Sequence, residues 1–448
     1  MIKLKQNSKD YLNGFTNLLS GYFDLEECQR ISLEFTFLNL LSEALYSKDK
    51  FIYKEIKGNI DFNLENGDTK EFFNKLHIFI NENACLKNII NHIFKLEKLE
   101  NKNLIKKIIT YLNEFYTDGV RGQVFKKCID TVFKTTKIEN ITSPNISKLI
   151  RILLRNFEFK SLYDPTIGNG NLITEIAIKR QDIKLYGQDI NENVINICKM
   201  LLIISGRIQD IKNIHIGNSI TNPKHIIEGR LQKFDCIVSE PPFFIKDWGY
   251  NEVINDKYNR FYRGLPSKSL GDYAFITHIV ESLDEKGMAV VVEPSGVLFR
   301  KGSEGKIREA LIEENLIDCI IALPNNMMYG TTVSTNILIF KKNRKREEIL
   351  FIDVINNVES SKVLTVLQDS MIEKIVTTYE NYVEQIGFSK VVSRKELMLN
   401  NNNLSVQRYV ESLGEREELN IEIINKKMTS LQKNIKEVQK QLDSYLNN

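Results

Sequence analysis

The sequence predicts an α/β protein with a doubly wound, mainly parallel sheet, a helical domain before the sheet and a coiled-coil helix after it. In residues 1–135 apolar side chains recur at spacings of three and four, which is typical of packed amphipathic helices. From about residue 136 short apolar runs alternate with helical patterns, as they do where helices join parallel strands. The C-terminal segment carries a heptad repeat.

Residues 1–135 are predicted to form the helical N-terminal domain. Its clearest helical patterns are "ISLEFTFLNLLSEALYS" and "LHIFINENACLKNIINHIF". Glycine is sparse there, and no group of catalytic side-chain types clusters in it. This domain is therefore expected to serve in contacts and not in chemistry.

Residues 136–347 are predicted to form the sheet domain. Seven apolar runs have the length and composition of strands, and segments such as "NENVINICKMLLIIS" and "SEGKIREALIEEN" separate them with helical patterns. The last two runs are close in sequence, which favours an antiparallel pair. The seven runs are "KSLYD", "KLYGQD", "NIHIGNS", "KFDCIVS", "GMAVVVEP", "IDCIIALP" and "TNILIFKK".

Residues 348–410 are less regular and form a predicted C-terminal extension, which a docking helix in residues 411–448 follows. An apolar seam with the spacing 4, 3, 4, 3, 4, 3 indicates the helix. The helix either packs back on its own domain or pairs with another helix, and its three heptads favour pairing. The seam consists of Ile424, Met428, Leu431, Ile435, Val438, Leu442 and Tyr445.

Composition restricts the function classes. A mean hydropathy of -0.25, without a long uncharged apolar run or a secretory signal, predicts a cytoplasmic protein that does not span a membrane. The six cysteines include no CxxC pair and the five histidines are isolated, which favours reduced thiols and disfavours a metal site. The net charge of +3 is uninformative about nucleic acid. The basic run "KKNRKR", residues 341–346, is either a solvated turn or a phosphate contact.

The first candidate site is "YDPTIGNGNLITEIA", which runs from the end of a predicted strand into a helix. Gly168 and Gly170 permit a tight turn that a ligand can approach closely. Nineteen residues after Gly170, Asp189 ends the next strand, where an acid can accept hydrogen bonds from both hydroxyls of a ribose. Ile173 replaces the third glycine of the dinucleotide fingerprint, so a nucleoside without a pyrophosphate, such as S-adenosylmethionine, is favoured. The alternative is a structural turn beside a surface acid.

The second candidate site is "VSEPPFFIKDW", residues 238–248. Pro241 and Pro242 end an apolar run and indicate a stiff corner at the carboxyl edge of the sheet, where such sheets bind ligands. The exocyclic amine of a nucleobase is a poor nucleophile, because its lone pair delocalises into the ring, and it needs acceptors that polarise its N–H bonds. The Glu240 side chain and the Pro241 carbonyl are candidate acceptors, and Phe243 is a candidate platform for a flipped base. An ordinary loop is the alternative.

These motifs and their order resemble the modification (M) subunits of type I restriction-modification systems, which are N6-adenine DNA methyltransferases. "DPTIGNGNLI" resembles the family's DPxxGSGxLL loop, "YGQDIN" its YGQEIN, "GNSI" its GDxL and "EPPF" its NPPF. "ITSPNISKLI" resembles the segment that closes over the cofactor, and "FYRGLPSKSLGDYAFITHIV" follows the family nearly without gaps. The resemblance covers most of the chain. It implies a Rossmann-like S-adenosylmethionine-dependent methyltransferase sheet, with residues 136–347 as the catalytic domain.

The resemblance also implies which residues carry out the reaction. Catalysis is expected from Glu240, Pro241, Pro242 and Phe243. No metal ligand is expected. The cofactor is expected to be bound by Thr142, Ser143, Pro144, Asp164, Thr166, Gly168, Gly170, Asn171, Asp189 and Asn218.

Three positions depart from the family pattern. Glu240 stands where the family carries Asn or Asp, and glutamate is longer than either and lacks an amide donor. Asn218 replaces the acid that faces the adenine amine of the cofactor, and Glu293 stands where an apolar residue is usual. Two interpretations follow. The chain is either an active methyltransferase with a variant motif, or a catalytically impaired structural subunit that still binds the cofactor.

The resemblance further implies partners. These are double-stranded DNA as substrate, a specificity (S) subunit, a second M copy and, in some assemblies, a restriction (R) subunit. No segment resembles a target-recognition domain, so the S subunit is expected to read the DNA sequence and to dock on the heptad helix. Methylation of another amine, in a protein or an RNA base, is a third function class, which the match outside the catalytic motif disfavours.

Overall fold

The computed structural model describes residues 4–5, 8–60, 69–116, 121–136, 143–328, 333–358, 361, 364–411 and 421–446. The chain divides into two units, residues 1–410 and 411–448. The larger unit contains a helical N-terminal region and a nine-stranded sheet with helices on both faces. The described part of the smaller unit is mainly one helix.

The N-terminal region is helical, as predicted. Its elements are β1 (Leu4–Lys5), α1 (Ser8–Leu19), α2 (Leu25–Tyr46), α3 (Thr69–Glu82), α4 (Phe94–Glu97), α5 (Lys102–Glu114), β2 (Phe115–Tyr116) and α6 (Arg121–Thr136). α2 is buried over most of its surface, because α1, α5 and α6 pack around it. Asp24 caps α2, since its carboxylate accepts a hydrogen bond from the Glu27 N–H at 2.8 Å. The region therefore has an apolar core of its own.

The apolar spacing of residues 76–94 is a helical pattern, but the structure has no single helix over that range. α3 ends at Glu82 because the next side chain, Asn83, hydrogen-bonds to the backbone in place of the helical ladder. The chain then turns, and the buried carboxylate of Glu34 accepts hydrogen bonds from the backbone N–H groups of residues 91–93. The end of α3 thus depends on side-chain hydrogen bonds, which apolar periodicity does not indicate.

All seven predicted strands are present in the sheet. The strands are β3 (Ser161–Asp164), β4 (Lys184–Asp189), β5 (Ile214–Ile216), β6 (Ile226–Ile227), β7 (Arg230–Leu231), β8 (Phe234–Ser239), β9 (Leu283–Pro294), β10 (Ile317–Ala322), β11 (Thr335–Lys341), β12 (Ile349–Asp353) and β13 (Ser389–Val392). β6 and β7 form a separate hairpin, and the other nine are ordered β13-β12-β10-β11-β9-β8-β3-β4-β5. β10 and β11 pair antiparallel, as predicted, while β5, β4, β3, β8 and β9 are parallel.

Helices cover both faces of this sheet. They are α7 (Pro144–Leu153), α8 (Asn171–Ala177), α9 (Glu192–Ile204), α10 (Asp272–Ser282), α11 (Ser303–Glu313), α12 (Asp369–Asn381) and α13 (Arg394–Leu399). Successive strand side chains alternate between two apolar cores, one beneath α7, α8, α9 and α12 and the other beneath α10 and α11. The opposite side of α9 packs into the core of the N-terminal region. α9 therefore joins that region to the sheet.

The smaller unit contains α14 (Ile421–Leu446), which includes all seven positions of the predicted apolar seam. The seam residues whose side chains are described, Met428, Leu431, Ile435 and Val438, are each more than half exposed. Among the described residues no helix, α14 included, combines the length and the apolar character needed to cross a membrane.

The basic run of residues 341–346 lies in the turn after β11, at the edge of the sheet where the parallel strands begin. Arg344 Nε lies 2.9 Å from Asp318 Oδ1, and Lys341 Nζ lies 3.1 Å from Asp318 Oδ2. The guanidinium of Arg344 also donates to backbone carbonyls. These two cations therefore stabilise the turn itself.

Glu293 is an unusual residue in the sheet core. It lies near the end of β9 and is 0% exposed, and neither carboxyl oxygen has a hydrogen-bond partner within the described ranges. Burial, with the neighbouring charge of Asp272, raises the pKa of Glu293 well above its usual range. The charged form of this side chain is therefore disfavoured in the folded protein.

We expect Glu293→Leu to stabilise the protein, because a buried polar group without a partner costs about 1–3 kcal/mol. The pKa of Glu293 is higher in the folded state than in the unfolded state, so the folded state retains a proton that the unfolded state releases. The stability of the wild type therefore falls as the pH rises above about 4.3, the pKa of an unperturbed glutamate. Urea denaturation at pH 5 and pH 9 measures the free energy of unfolding of each protein. The increase from wild type to Glu293→Leu should be larger at pH 9, and Glu293→Gln is the matched non-titrating variant. Equal stability of the three proteins at pH 9 would contradict this account.

Candidate active site

The candidate site is a cavity of about 330 Å³ at the carboxyl ends of the central parallel strands. Asp164 ends β3, Asp189 ends β4 and Glu240 directly follows β8. Because these strands are parallel, their carboxyl ends lie at one edge of the sheet. The cavity is lined by Pro165, Thr166, Gly168, Asn169, Asp189, Ile190, Asn191, Val194, Gly217, Asn218, Ser219, Glu240, Pro242, Ile245, Asp247, Trp248 and Phe275.

The turn between β3 and α8 has the conformation that its glycines predict. Gly168 and Gly170 have φ of +54° and +80°, in the left-handed region that side-chain-bearing residues rarely adopt. A Cβ at Gly170 would lie 2.7 Å from Cys198 Sγ on α9, so this glycine also permits close packing. The turn is tied to β4, because the Ile167 N–H donates to the Gln188 carbonyl at 3.0 Å.

Two acids at this edge have perturbed ionisation. Burial, with the nearby carboxyls of Asp189 and Glu240, raises the pKa of Asp164 to about 8, although Asp164 accepts a hydrogen bond from the Thr166 N–H at 2.9 Å. Burial also raises the pKa of Asp189. Asp189 Oδ2 accepts from the Gly168 N–H at 3.0 Å, and Oδ1 accepts from the Asn191 N–H at 2.9 Å. Each oxygen of Asp189 keeps room for one more hydrogen bond.

The corner after β8 is aromatic and strained. Glu240 is 7% exposed and borders the cavity with Pro242. Phe243 packs partly buried against the core beneath α7 and is not among the residues that line the cavity. Phe244 is 40% exposed and has a φ of +58°, a left-handed conformation that is uncommon for a bulky residue. Phe244 is therefore more accessible to a ligand than Phe243.

The start of α10 holds this corner in place. Asp272 Oδ1 accepts a hydrogen bond from the Phe244 N–H at 2.9 Å, and the Gly271 N–H donates to the Ile245 carbonyl at 2.9 Å. The second carboxylate oxygen of Asp272 forms an ion pair with Arg300. Asp272 therefore connects the strained corner to the packed body of the protein.

Trp248 and Phe275 form the apolar wall of the cavity, and sequence reasoning assigned neither a role. Trp248 is buried, and its Nε1–H donates to the Ser267 carbonyl at 2.9 Å, which fixes the indole ring. Phe275 lies on α10 and belongs to the same small apolar cluster. The one available signal was that Trp248 is the only tryptophan of the chain and closes the proline-containing stretch.

The predicted cofactor-binding residues are only partly together. Thr166, Gly168, Asp189 and Asn218 line the cavity, whereas Asp164 and Gly170 lie behind the lining. Ser143 accepts a hydrogen bond from the Asn145 N–H at the start of α7, where Pro144 is the first helical residue, and neither residue lines the cavity. Thr142 lies outside the described residues.

Two asparagines at this edge already have partners. Asn171 Nδ2 donates to Asp130 Oδ1 at 2.7 Å, so its side chain is directed toward the N-terminal region. Asn218 Oδ1 accepts from the N–H groups of Ile220 at 2.7 Å and Thr221 at 3.1 Å. The role of Asn218 as an acceptor for an adenine amine therefore competes with a turn that it already stabilises. Across the described ranges, no group of three His, Cys, Asp or Glu side chains has the arrangement of a metal site.

Comparison with known proteins now gives the family. The family model for N-6 DNA methylases matches residues 131–418. The chain belongs to this family. It is 33% identical over 303 residues to the methylase subunit of the type I restriction enzyme MpnII of Mycoplasma pneumoniae, covering 64% of this chain and 55% of that protein. It is 27% identical to the MjaVIII methylase subunit of Methanocaldococcus jannaschii, covering 96% and 83% of the two chains.

Solved structures show the same fold. The type I restriction-modification methyltransferase subunit of Streptococcus thermophilus matches 91% of this chain and 99% of its own, with a TM-score of 0.72 and 23% identity. A structure concerned with complex assembly of the type I restriction-modification system matches 99% of both chains, with a TM-score of 0.59. The predicted α/β fold is confirmed. The chain spans about half the length of the first two curated relatives, 55% of each.

We expect Asp272→Ala to loosen the corner at residues 240–248, because the Phe244 N–H loses a charged acceptor worth about 1.5–3 kcal/mol. Hydrogen exchange at the Phe244 amide should accelerate about tenfold or more, since 1.4 kcal/mol corresponds to a factor of ten. Asp272→Asn is the matched control, because it also loses the ion pair to Arg300 but keeps an acceptor oxygen. A Phe244 exchange rate in Asp272→Ala equal to that of the wild type would show that Asp272 does not hold the corner.

Proposed function

We propose that this chain is the methyltransferase subunit of a type I restriction-modification system, which transfers a methyl group from S-adenosylmethionine to the N6 amine of adenine in double-stranded DNA. The observation that carries the proposal is the Glu240-Pro241-Pro242 corner at the rim of a nucleoside-sized cavity, in a member of the N-6 DNA methylase family. Reading of the DNA sequence is assigned to a partner S subunit.

The residues of the cavity fit S-adenosylmethionine. Asp189 has unused acceptor positions for two ribose hydroxyls, and the rings of Trp248 and Phe275 offer an apolar wall for an adenine. Glu240 and Asp247 give the lining a negative character that suits a positively charged ligand. When bound, this cofactor supplies an electrophilic methyl group on a sulfonium centre.

Glu240 and Pro241 are the proposed catalytic pair. The Glu240 carboxylate and the Pro241 carbonyl oxygen each accept a hydrogen bond from the adenine amine, which localises its lone pair and polarises its N–H bonds. As a carboxylate, Glu240 is also positioned to take the proton that the methylated amine releases. Phe243 is the predicted stacking ring, and the exposed Phe244 is a second platform at the same corner.

We expect the assembled M–S complex to transfer radiolabelled methyl groups from S-adenosylmethionine to adenine in duplex DNA. Glu240→Ala should abolish transfer, because it removes an acceptor for the amine, while the contacts of Asp189 with the ribose keep the cofactor bound. Asp189→Ala should weaken cofactor binding by about 1–3 kcal/mol in calorimetry, the range for losing hydrogen bonds to a charged group.

Three outcomes separate the remaining alternatives. An inert wild-type complex that binds the cofactor and gains activity through Glu240→Asn would identify a subunit that has lost its chemistry. Methylation by Glu240→Ala at the wild-type rate would move the catalytic acceptor to another residue. A wild-type complex that methylates an RNA base or a protein side chain but not DNA would overturn the substrate assignment.

We propose that α14 docks on helices of the S subunit through its apolar seam, which is exposed where its side chains are described. Leu431→Glu with Ile435→Glu should abolish co-purification with the S subunit and leave cofactor binding unchanged. The matched control is Lys433→Glu with Lys436→Glu, which changes exposed residues of the same helix outside the seam. Retention of the complex at native affinity by the seam variant would assign α14 to another role.

A further inference from the structure

A second cavity lies at the opposite edge of the sheet from the candidate active site. Its volume is about 610 Å³, within the range of small-ligand sites. It is bordered by the segment after α2, by the start of β4 and by the segment after α9. Lys184 begins β4 and Asp189 ends it, so the two cavities are separated by roughly 17 Å of strand at about 3.3 Å per residue.

The charge of this cavity is unbalanced toward the positive. Four lysines line it, and no described carboxylate lies within ion-pair distance of any of them. The three acids of the lining already have partners. Asp182 Oδ2 pairs with Lys160 at 2.7 Å, Asp210 Oδ2 pairs with Arg207 at 2.8 Å, and Glu55 Oε1 accepts from Gln209 at 3.0 Å. The four lysines are Lys50, Lys54, Lys184 and Lys212.

An aromatic ring faces the same space. Phe51 is 41% exposed, and its other side rests on Gly206, where a Cβ would lie 3.4 Å from two ring carbons. Its backbone is also held, because the Phe51 N–H donates to Asp49 Oδ1 at 3.1 Å and Asp49 pairs with Arg121 at 3.2 Å. Lys50 Nζ lies 4.6 Å from the centroid of the Phe51 ring, so this cation and the ring line the cavity together.

We propose that this cavity binds a nucleoside di- or triphosphate. Lysines without a carboxylate partner attract phosphate groups, and the exposed part of the Phe51 ring offers a stacking surface to a base. The side-chain amide of Gln181 supplies hydrogen-bonding groups for the polar edges of a base or a sugar. The amides of Gln209 and Asn213 offer their oxygens, because their NH2 groups already donate to Glu55 and to the Leu185 carbonyl. The site is distinct from the cofactor cavity and does not depend on the proposed methyl transfer.

The test is calorimetric titration of the full-length protein with ADP, in the presence of saturating S-adenosylhomocysteine to occupy the cofactor cavity. One ADP should bind, and Lys184→Glu with Lys212→Glu should weaken binding at least tenfold. Lys87→Glu with Lys301→Glu, at exposed positions outside the cavity, makes the same change of net charge and should leave ADP affinity unchanged.

Two further ligands separate the parts of the site. Phe51→Ala should weaken ADP binding about tenfold and leave pyrophosphate binding unchanged, because only the base uses the ring. Absence of saturable ADP binding would overturn the proposal, and so would equal affinities in the cavity and control variants. Tighter binding of a short single-stranded oligonucleotide, lost in the cavity variant, would replace the nucleotide with nucleic acid as the ligand.

Discussion

Three carboxyl groups at one edge of a parallel sheet set the conditions for the candidate active site. Asp164, Asp189 and Glu240 follow neighbouring strands, and burial lowers the dielectric around them, so their full ionisation is unfavourable. Asp189 accepts backbone hydrogen bonds from Gly168 in the glycine-containing turn and from Asn191, while Asp164, with its pKa raised to about 8, is mostly protonated at neutral pH. A cationic ligand reduces the remaining repulsion, and the proposed methyl donor carries a positive sulfonium.

The corner that carries Glu240 depends on a different part of the chain. Two prolines stiffen its start, but its strained residue, Phe244, is held by the carboxylate of Asp272 on α10. That carboxylate shares Arg300 with Glu304, and the buried Glu293 lies close enough for its ionisation to respond to the same charges. Arg300 thus pairs with two of these acidic residues, Asp272 and Glu304, and the geometry of the corner is coupled to how α10 and α11 pack on the sheet.

Sequence patterns predicted the strands because short apolar runs bounded by polar turns have few other interpretations. They predicted the turn after β3 because its backbone conformation requires a glycine at position 170. They failed where a side chain hydrogen-bonds to backbone groups. The helix break at Asn83 and the support from Asp272 are hydrogen bonds between groups that apolar spacing does not register. Trp248 reaches the cavity wall through tertiary packing, and Phe275 looked like an ordinary apolar residue of α10.

The exchange of an amide for a carboxylate at Glu240 changes more than the length of one side chain. A neutral Asn at this position adds no charge to the edge, whereas Glu240 is one of the groups that raise the pKa of Asp164. Asp164, with its pKa raised to about 8, is mostly protonated at neutral pH and becomes charged as the pH rises past 8. That charge then lies close to the carboxyl group of Glu240. A carboxylate at this corner therefore makes the electrostatics of the site depend on pH in a way that an amide does not.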